Sequence, residues 1–348
     1  MKNFKIGNFE IGENSPCFII AEAGSNHDRD MGQAKEMIDV AVEAGANAVK
    51  FQTFTAEKIA ADTSHPIVRL GDEYGGVKTL FDLYKGLELP REWQLELKEY
   101  ADKKGIMFLS TPFDYDAVEE LENLGIEAYK IATFEMVDLP FLSYIAKKQK
   151  PIILSTGMAN LGEIEEALDA IYKEKNEQVA LLHCGIGYPM PMEDVHLAAM
   201  DTMKQAFQVP VGYSDHTLGI TVPIASVARG AKIIEKHFTL DRRLKGPDHQ
   251  FAIEPDELKA MVKGIRDVEK AIGSPIKKLA EVEKLHHERG RRSIFAKVDI
   301  PKGTVITKDM LAILRPGVGL MPKYLDIVVG REARKDIKRN EPITWEVI

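Results

Sequence analysis

Two cysteines, Cys17 and Cys184, are all that a chain of 348 residues carries. They lie far apart and in no metal-binding or redox spacing, which excludes a disulfide framework and points to a reducing compartment. Long hydrophobic runs are also missing. Nothing approaches the ~18 continuous apolar residues of a membrane helix, and residues 1–16 hold charges and two glycines where a signal peptide would have its apolar stretch. An excess of positive charge is absent too. The net charge is −8, which argues against nucleic acid or an anionic membrane as the main partner. No G-x-G-x-x-G follows the first apolar run, which weakens a dinucleotide-binding fold. These absences together predict a soluble, cytoplasmic protein.

What is present is a rhythm. Short apolar runs read as buried strands: 17–24 (CFIIAEAG), 48–53 (AVKFQT), 106–111 (IMFLST), 128–133 (AYKIAT), 151–156 (PIILST), 179–184 (VALLHC), 209–215 (VPVGYSD) and 232–238 (KIIEKHF). Between most of them lie segments of helical period. Ala34, Met37, Ile38, Val40 and Ala41 form one apolar face, and Leu258, Met261, Val262, Ile265, Val268 and Ile272 another. Pro255 and Gly273 are start and stop signals for the latter helix. Near-continuous apolar strands alternating with helices predict a parallel sheet covered on both faces. Eight such units within residues 1–273 fit an α/β fold of the (β/α)8 TIM-barrel type better than an open doubly wound sheet. The opening FKIGNFEIG reads as a hairpin covering the bottom of the barrel. Residues 274–290 are polar and read as a linker. Residues 291–348, with short β runs and Pro-Gly turns, read as a small independent domain.

Active residues of such a barrel sit at the C-terminal ends of its strands. The polar residues there are Glu22, with Asn26 and His27 after it; Lys50 and Gln52; Ser110 and Thr111; Lys130, Thr133 and Glu135; Ser155 and Thr156; His183, with Tyr188 after it; Ser214, Asp215 and His216; and Glu235, Lys236 and His237. Inward-facing charge is costly unless paired, hydrated or bound to a ligand. Lys50 and Lys130, with Thr111, Thr133 and Ser214, suit a small phosphorylated acid: the lysines are compact cations and the hydroxyls neutral hydrogen-bonding groups. His216 and His237, on adjacent strands, offer two nitrogens to a divalent metal in an open site completed by water and substrate. The plain alternatives are structural. A lone histidine at a strand end usually satisfies a backbone group, Ser110 and Ser155 need do no more, His27 reads as a loop or cap residue, and Cys184 as a small buried hydrophobe.

The stretches IIAEAGSNH, VKFQTF, FLSTPFD, AYKIATFE, ILSTGM, LLHC followed by YP, GYSDHTLG, EKHFTLD and GPDH occur in that order. IPKG and LRPGVG follow near the end. Over nearly its whole length the sequence resembles the sialic acid (N-acetylneuraminate) synthases, a family that includes legionaminic and pseudaminic acid synthases and a spore-coat polysaccharide branch. The resemblance implies a TIM-barrel catalytic domain (1–273), a linker (274–290) and an antifreeze-like SAF domain (291–348). It implies condensation of phosphoenolpyruvate with the open-chain aldehyde of an N-acyl hexosamine such as N-acetylmannosamine. The products are a nine-carbon 2-keto sugar acid and phosphate, and Mn2+ or Mg2+ assists. Lys50, Thr111, Lys130, Thr133 and Ser214 would then hold phosphoenolpyruvate. Glu22 and Glu135 would move protons, and His216 and His237 would bind the metal. Gln52, Tyr188, Glu235 and Asp248 would face the acceptor sugar or its surroundings. Arg315 would reach the acceptor in the other subunit of a homodimer. Departures from the family pattern lie in HCGIGYP, where Gly185 stands for a threonine and Ile186 occupies an often polar position. The 62–78 loop lacks a clear acceptor-binding asparagine, and KIATFE differs from the commoner KIGSGE. These leave the acceptor open. The other readings are a related keto-sugar-acid synthase acting on a phosphorylated aldose and, in a different class, a non-catalytic carbohydrate-binding protein.

Overall fold

The structure, a computed structural model, describes residues 2–71 and 77–348. Residues 72–76, part of the 62–78 loop, lie outside the described residues. A hairpin of β1 (Phe4–Ile6) and β2 (Phe9–Ile11) comes first. Eight parallel strands follow: β3 (Phe18–Gly24), β4 (Ala48–Thr53), β5 (Met107–Pro112), β6 (Tyr129–Ile131), β7 (Ile152–Ser155), β8 (Val179–Cys184), β9 (Val211–Asp215) and β10 (Ile233–His237). Their order is β5-β4-β3-β10-β9-β8-β7-β6, so the first strand of the set pairs with the last, and β5 and β6 lie side by side where the sheet meets itself. This is a near-closed (β/α)8 barrel, as the strand–helix rhythm predicts. The expected runs are met within a residue or two, except that 128–133 is strand only to Ile131 and then turns into a 3-10 segment at Thr133–Glu135.

Local chemistry sets the helix ends. Asp30 accepts a hydrogen bond from Gln33 N to start the helix Met31–Ala44, and Gly45, at φ 79°, ends it. Pro255 opens the helix Pro255–Ile272, where Glu254 and Glu257 form a reciprocal cap. Ala34, Met37, Ile38 and Ala41 are buried as the helical period requires, and so are Leu258, Met261, Val262 and Ile265; Ile272, at the last turn, is exposed.

The two-residue period of the strands divides the core in two. Outward residues such as Ile19, Val49, Phe108, Tyr129, Leu154, Leu181, Tyr213 and Ile234 pack against the helices. Inward residues at the strand starts, including Phe18, Ile20, Ala48, Leu109, Ala128, Ile153, Ala180, Leu182 and Ile233, form a second apolar cluster. Phe4, Ile6 and Ile11 of the hairpin join that inner cluster, so the hairpin does cover the barrel's lower end.

Residues Ser274–Ile348 form a separate compact unit. The polar stretch 274–290 belongs to this unit and contains a short helix, Lys284–Gly290. Antiparallel β11 (Ser293–Ala296) and β12 (Leu311–Leu314) lie over a core of Ile294, Ala296, Ile300, Ile306, Val328, Ala333, Ile337 and Ile343. Among the described residues no helix is long and apolar enough to cross a membrane, and Cys17 and Cys184 are both buried and free.

Candidate active site

The inward positions change character two residues above the apolar cluster. Ile20 gives way to Glu22, Ala48 to Lys50, Leu109 to Thr111, Ala128 to Lys130 and Ile233 to Glu235. All of these polar residues are buried. Lys50 Nζ lies 2.9 Å from Glu22 Oε2 and 3.8 Å from Glu235 Oε1, and donates to Thr111 Oγ1 at 2.9 Å. Lys130 Nζ lies 3.2 Å from the same Glu235 Oε1. Glu235 therefore bridges the two lysines, and it also accepts from Ser214 Oγ at 3.3 Å. Gln52 Nε2 donates to Glu22 Oε1 at 3.0 Å.

Burial sets the protonation states. It pushes the Glu22 carboxyl up to about 7, against the pull of Lys50 and with the repulsion of Glu235. Glu235 feels the same burial, but Lys130 and Lys50 outweigh it and hold its carboxyl below the ordinary value. Lys50, also penalised by burial, is held above its ordinary value by Glu22 and Glu235. Whenever Glu22 takes up a proton, two lysines face one carboxylate and the mouth gains positive character. That state suits a compact anion. Glu135, on the 3-10 turn after β6, is pushed up to about 7 by burial, partly offset by a backbone hydrogen bond and by Lys130. Its Oε2 is shielded from solvent and has no partner. Thr133, on the same turn, accepts from Gly157 N at 3.0 Å.

The histidines stand at the rim of the same mouth. His216 and His237 have ring centroids 5.2 Å apart. His216 Nδ1 donates to Gly185 O at 2.8 Å, which leaves Nε2 as the lone-pair nitrogen. Burial lowers the basicity of both rings, and in His237 the neighbouring His216, Lys50, Lys236 and Lys130 add to it. Both imidazoles are therefore neutral, the form that ligates metals. His237 Nδ1 is buried without a hydrogen-bond partner, 3.8 Å from Asp248 Oδ2. Asp248 is held by Ser25 Oγ at 3.2 Å. Among the described residues no group of three or more His, Cys, Asp or Glu is arranged as a complete metal site. Tyr188, half-exposed, packs against His216 with ring centroids 4.5 Å apart and the planes tilted by 56°.

The expected residues Glu22, Lys50, Gln52, Thr111, Lys130, Thr133, Glu135, Tyr188, Ser214, His216, Glu235, His237 and Asp248 thus gather around one mouth. Arg315 belongs to the second unit, where it is exposed in the loop after β12. Five residues expected at the mouth point elsewhere, because strand alternation turns them toward the helices; one is Thr156, whose hydroxyl donates to Leu182 O at 2.9 Å. Asp215 and Lys236 pair with each other at 2.6 Å, fully buried. His183 bonds to Val195 O, and Ser110 to Thr53. His27 lies in the loop after β3, as one of its two readings has it, while Asp30 caps the helix; it is buried and its Nδ1 accepts from Arg29 N. Two inner residues set aside as structural, and one rim residue without a sequence signal, join the mouth. Ser155 is two positions above inward Ile153, and its buried Oγ has no partner; strict period-two counting along ILS finds it. Cys184 faces inward, 3.8 Å from His216 Nδ1. Phe251, packed on Tyr188, His216 and His237, comes from the loop after β10 and carries no sequence signal.

A (β/α)8 barrel whose mouth gathers paired lysines, near-neutral carboxyl groups and two imidazoles defines an enzyme. Comparison with known proteins identifies its kind. The NeuB family matches residues 37–277 and the SAF domain residues 291–348. The chain is 41% identical to the N,N'-diacetyllegionaminic acid synthase of Legionella pneumophila, over 97% of this chain and 96% of that one. It is 37% identical to a pseudaminic acid synthase of Campylobacter jejuni, over 96% of each. The crystal structure of an N-acetylneuraminic acid synthetase from Leptospira borgpetersenii superposes with a TM-score of 0.73 at 38% identity, covering 82% of this chain and 95% of that one. The chain belongs to the NeuB family and carries a SAF domain, as its motifs lead one to expect.

Proposed function

We propose that this enzyme condenses phosphoenolpyruvate with an unphosphorylated N-acyl hexosamine to give a nine-carbon 2-keto sugar acid and phosphate. The observation that carries the reading is the pair of buried lysines bridged by Glu235. Lys50 and Lys130, with Thr111, Thr133 and Ser214, hold the phosphate and carboxylate of phosphoenolpyruvate. Its C3 attacks the sugar aldehyde, water adds at C2, and the C–O bond to phosphate breaks. Positive character at C2 is met by the Glu235 carboxylate. Glu22 and Glu135, both near 7, are half-ionised at neutral pH and suited to take a proton from water or return one to the new hydroxyl. His216 and His237 would hold Mn2+ or Mg2+; the neutral rings and the unpartnered His237 nitrogen fit that role. A divalent ion there, when bound, polarises the acceptor aldehyde. Gln52, Tyr188 and Asp248, at the acceptor side, bring no cation, which favours a neutral sugar over a phosphorylated aldose.

The working unit in this reading is a homodimer in which Arg315 of one SAF domain completes the acceptor pocket of the other subunit. Exposed Phe134, Val137, Met158, Leu161, Met192 and Leu218, on the segments after β6 to β9, give the mouth an apolar rim suited to being covered. A planar guanidinium suits an N-acyl amide.

Phosphate release is the test: phosphoenolpyruvate with a panel of N-acylated hexoses and phosphorylated aldoses. Turnover confined to phosphorylated aldoses overturns the acceptor reading. Arg315→Ala should raise the acceptor KM with phosphoenolpyruvate binding nearly unchanged. Mixed with His216→Ala, it should regain part of the activity once subunits exchange.

A further inference from the structure

Behind the two rim histidines, on the helix-facing side of the same strands, is a second buried polar cluster that the reaction does not use. Asp215 and Lys236 are fully buried and sit directly opposite each other in the β9–β10 register. Lys236 Nζ donates to Asp215 Oδ2 at 2.6 Å and to the carbonyl of Thr217. Thr217 returns two bonds to Asp215: its N–H to Oδ1 at 3.1 Å and its hydroxyl to Oδ2 at 3.1 Å. Thr217 is itself fully buried. The residues on both sides of His216 are therefore tied to each other and to the residue just before His237.

A fully buried ion pair is poor evidence of net stabilisation, because desolvation offsets the attraction and apolar residues of similar volume often do as well. This pair also does something an apolar pair cannot. Its bonds reach backbone atoms past the end of β9, where the ladder with β10 stops, and hold the turn in one conformation. Strand alternation then points the intervening His216 into the mouth, beside His237.

We propose that Asp215, Lys236 and Thr217 are positioning residues: a clamp on the outer face of the sheet that sets the separation and direction of His216 and His237 on its inner face. This rests on the reading of those histidines as the metal-binding pair. None of the three touches substrate or metal; they act through the backbone.

The experiment measures manganese affinity directly, by electron paramagnetic resonance of free Mn2+, alongside thermal unfolding. Removing one charge alone strands the other, so the informative variant is the apolar double, Asp215→Leu with Lys236→Met. It should keep Tm within a few degrees of the unaltered chain while manganese binding weakens about tenfold or more, the usual scale for groups that orient metal ligands. Thr217→Val, which removes only the hydroxyl, should weaken binding less, and Thr217→Ser should restore it. Wild-type manganese affinity in both the double variant and Thr217→Val overturns the clamp. So does a double variant that fails to fold, since the pair is then a stability element. Absence of manganese binding by the unaltered chain overturns the metal reading, and the clamp with it.

Discussion

The lower and upper halves of the barrel interior are built on the same eight strands, two residues apart, and obey different rules. Below, Ile20, Ala48, Leu109, Ala128, Ile153 and Ile233 close on the hairpin's Phe4, Ile6 and Ile11. Above, Glu22, Lys50, Thr111, Lys130 and Glu235 bond to one another, while Glu235 Oε2 is buried without a partner. The lower half gains stability by excluding water. The upper half is electrostatically expensive, and its charges make sense as a site that a ligand completes. The contrast implies that substitutions below should cost folding without chemistry, and substitutions above the reverse, wherever they leave no charge stranded.

Lys50→Met should break that contrast most severely, because it does both. It leaves Glu22 and Glu235 without their shared cation, and losing one partner of a buried pair costs about 3–5 kcal/mol. Chemical denaturation should show that loss, and phosphate release should fall at least a hundredfold. Ile153→Ala sharpens the lower side: a buried large-to-small change costs about 2–5 kcal/mol, while kcat/KM per folded molecule should stay within a factor of two or so. Lys130→Ala sharpens the upper side. Loss of a charge-assisted contact to an anion is worth about 1.5–3 kcal/mol, so phosphoenolpyruvate should bind about ten- to a hundredfold more weakly by calorimetry; unchanged affinity removes Lys130 from the anion site. The smallest effect is on pH. Glu135 is raised from 4.5 to about 7 by burial, so between those values the folded chain keeps a proton that the unfolded chain has lost. Its contribution to stability is present below pH 4.5 and disappears as pH rises through 7. Tm should therefore fall less steeply between pH 5 and 8 in Glu135→Gln than in the unaltered chain, and parallel curves would place the proton elsewhere.

Most of this was legible in the sequence because strand and helix periods are local. The eight runs, the helix signals at Pro255 and Gly273, and the lysines in AVKFQT and AYKIAT needed only spacing. What spacing alone left open was facing. Counting polar residues at strand ends put Asp215, Lys236, His183, Ser110 and Thr156 in the mouth, although each is an odd step from an inward neighbour. Ser155 was passed over although it is an even one. Phe251 was out of reach, since a loop returns it to the rim from outside the strand pattern. Glu135 was legible as a residue, but its near-neutral carboxyl was not: that depends on what buries it. The departures at Gly185 and Ile186 acquire a physical reading only in three dimensions. Gly185 supplies the carbonyl that orients His216, and a side chain there would collide with Met190. Ile186 lies against Gly157, whose N–H is spent on Thr133.

The small hairpin at the start of the chain has a consequence for traffic. With Phe4, Ile6 and Ile11 packed across the lower end, the charged level above is closed from below. On the proposed reaction, water, phosphate and the protons exchanged at Glu22 would pass through the upper end, which the sugar would also use. A bound acceptor in that reaction would then stand between the inner site and solvent.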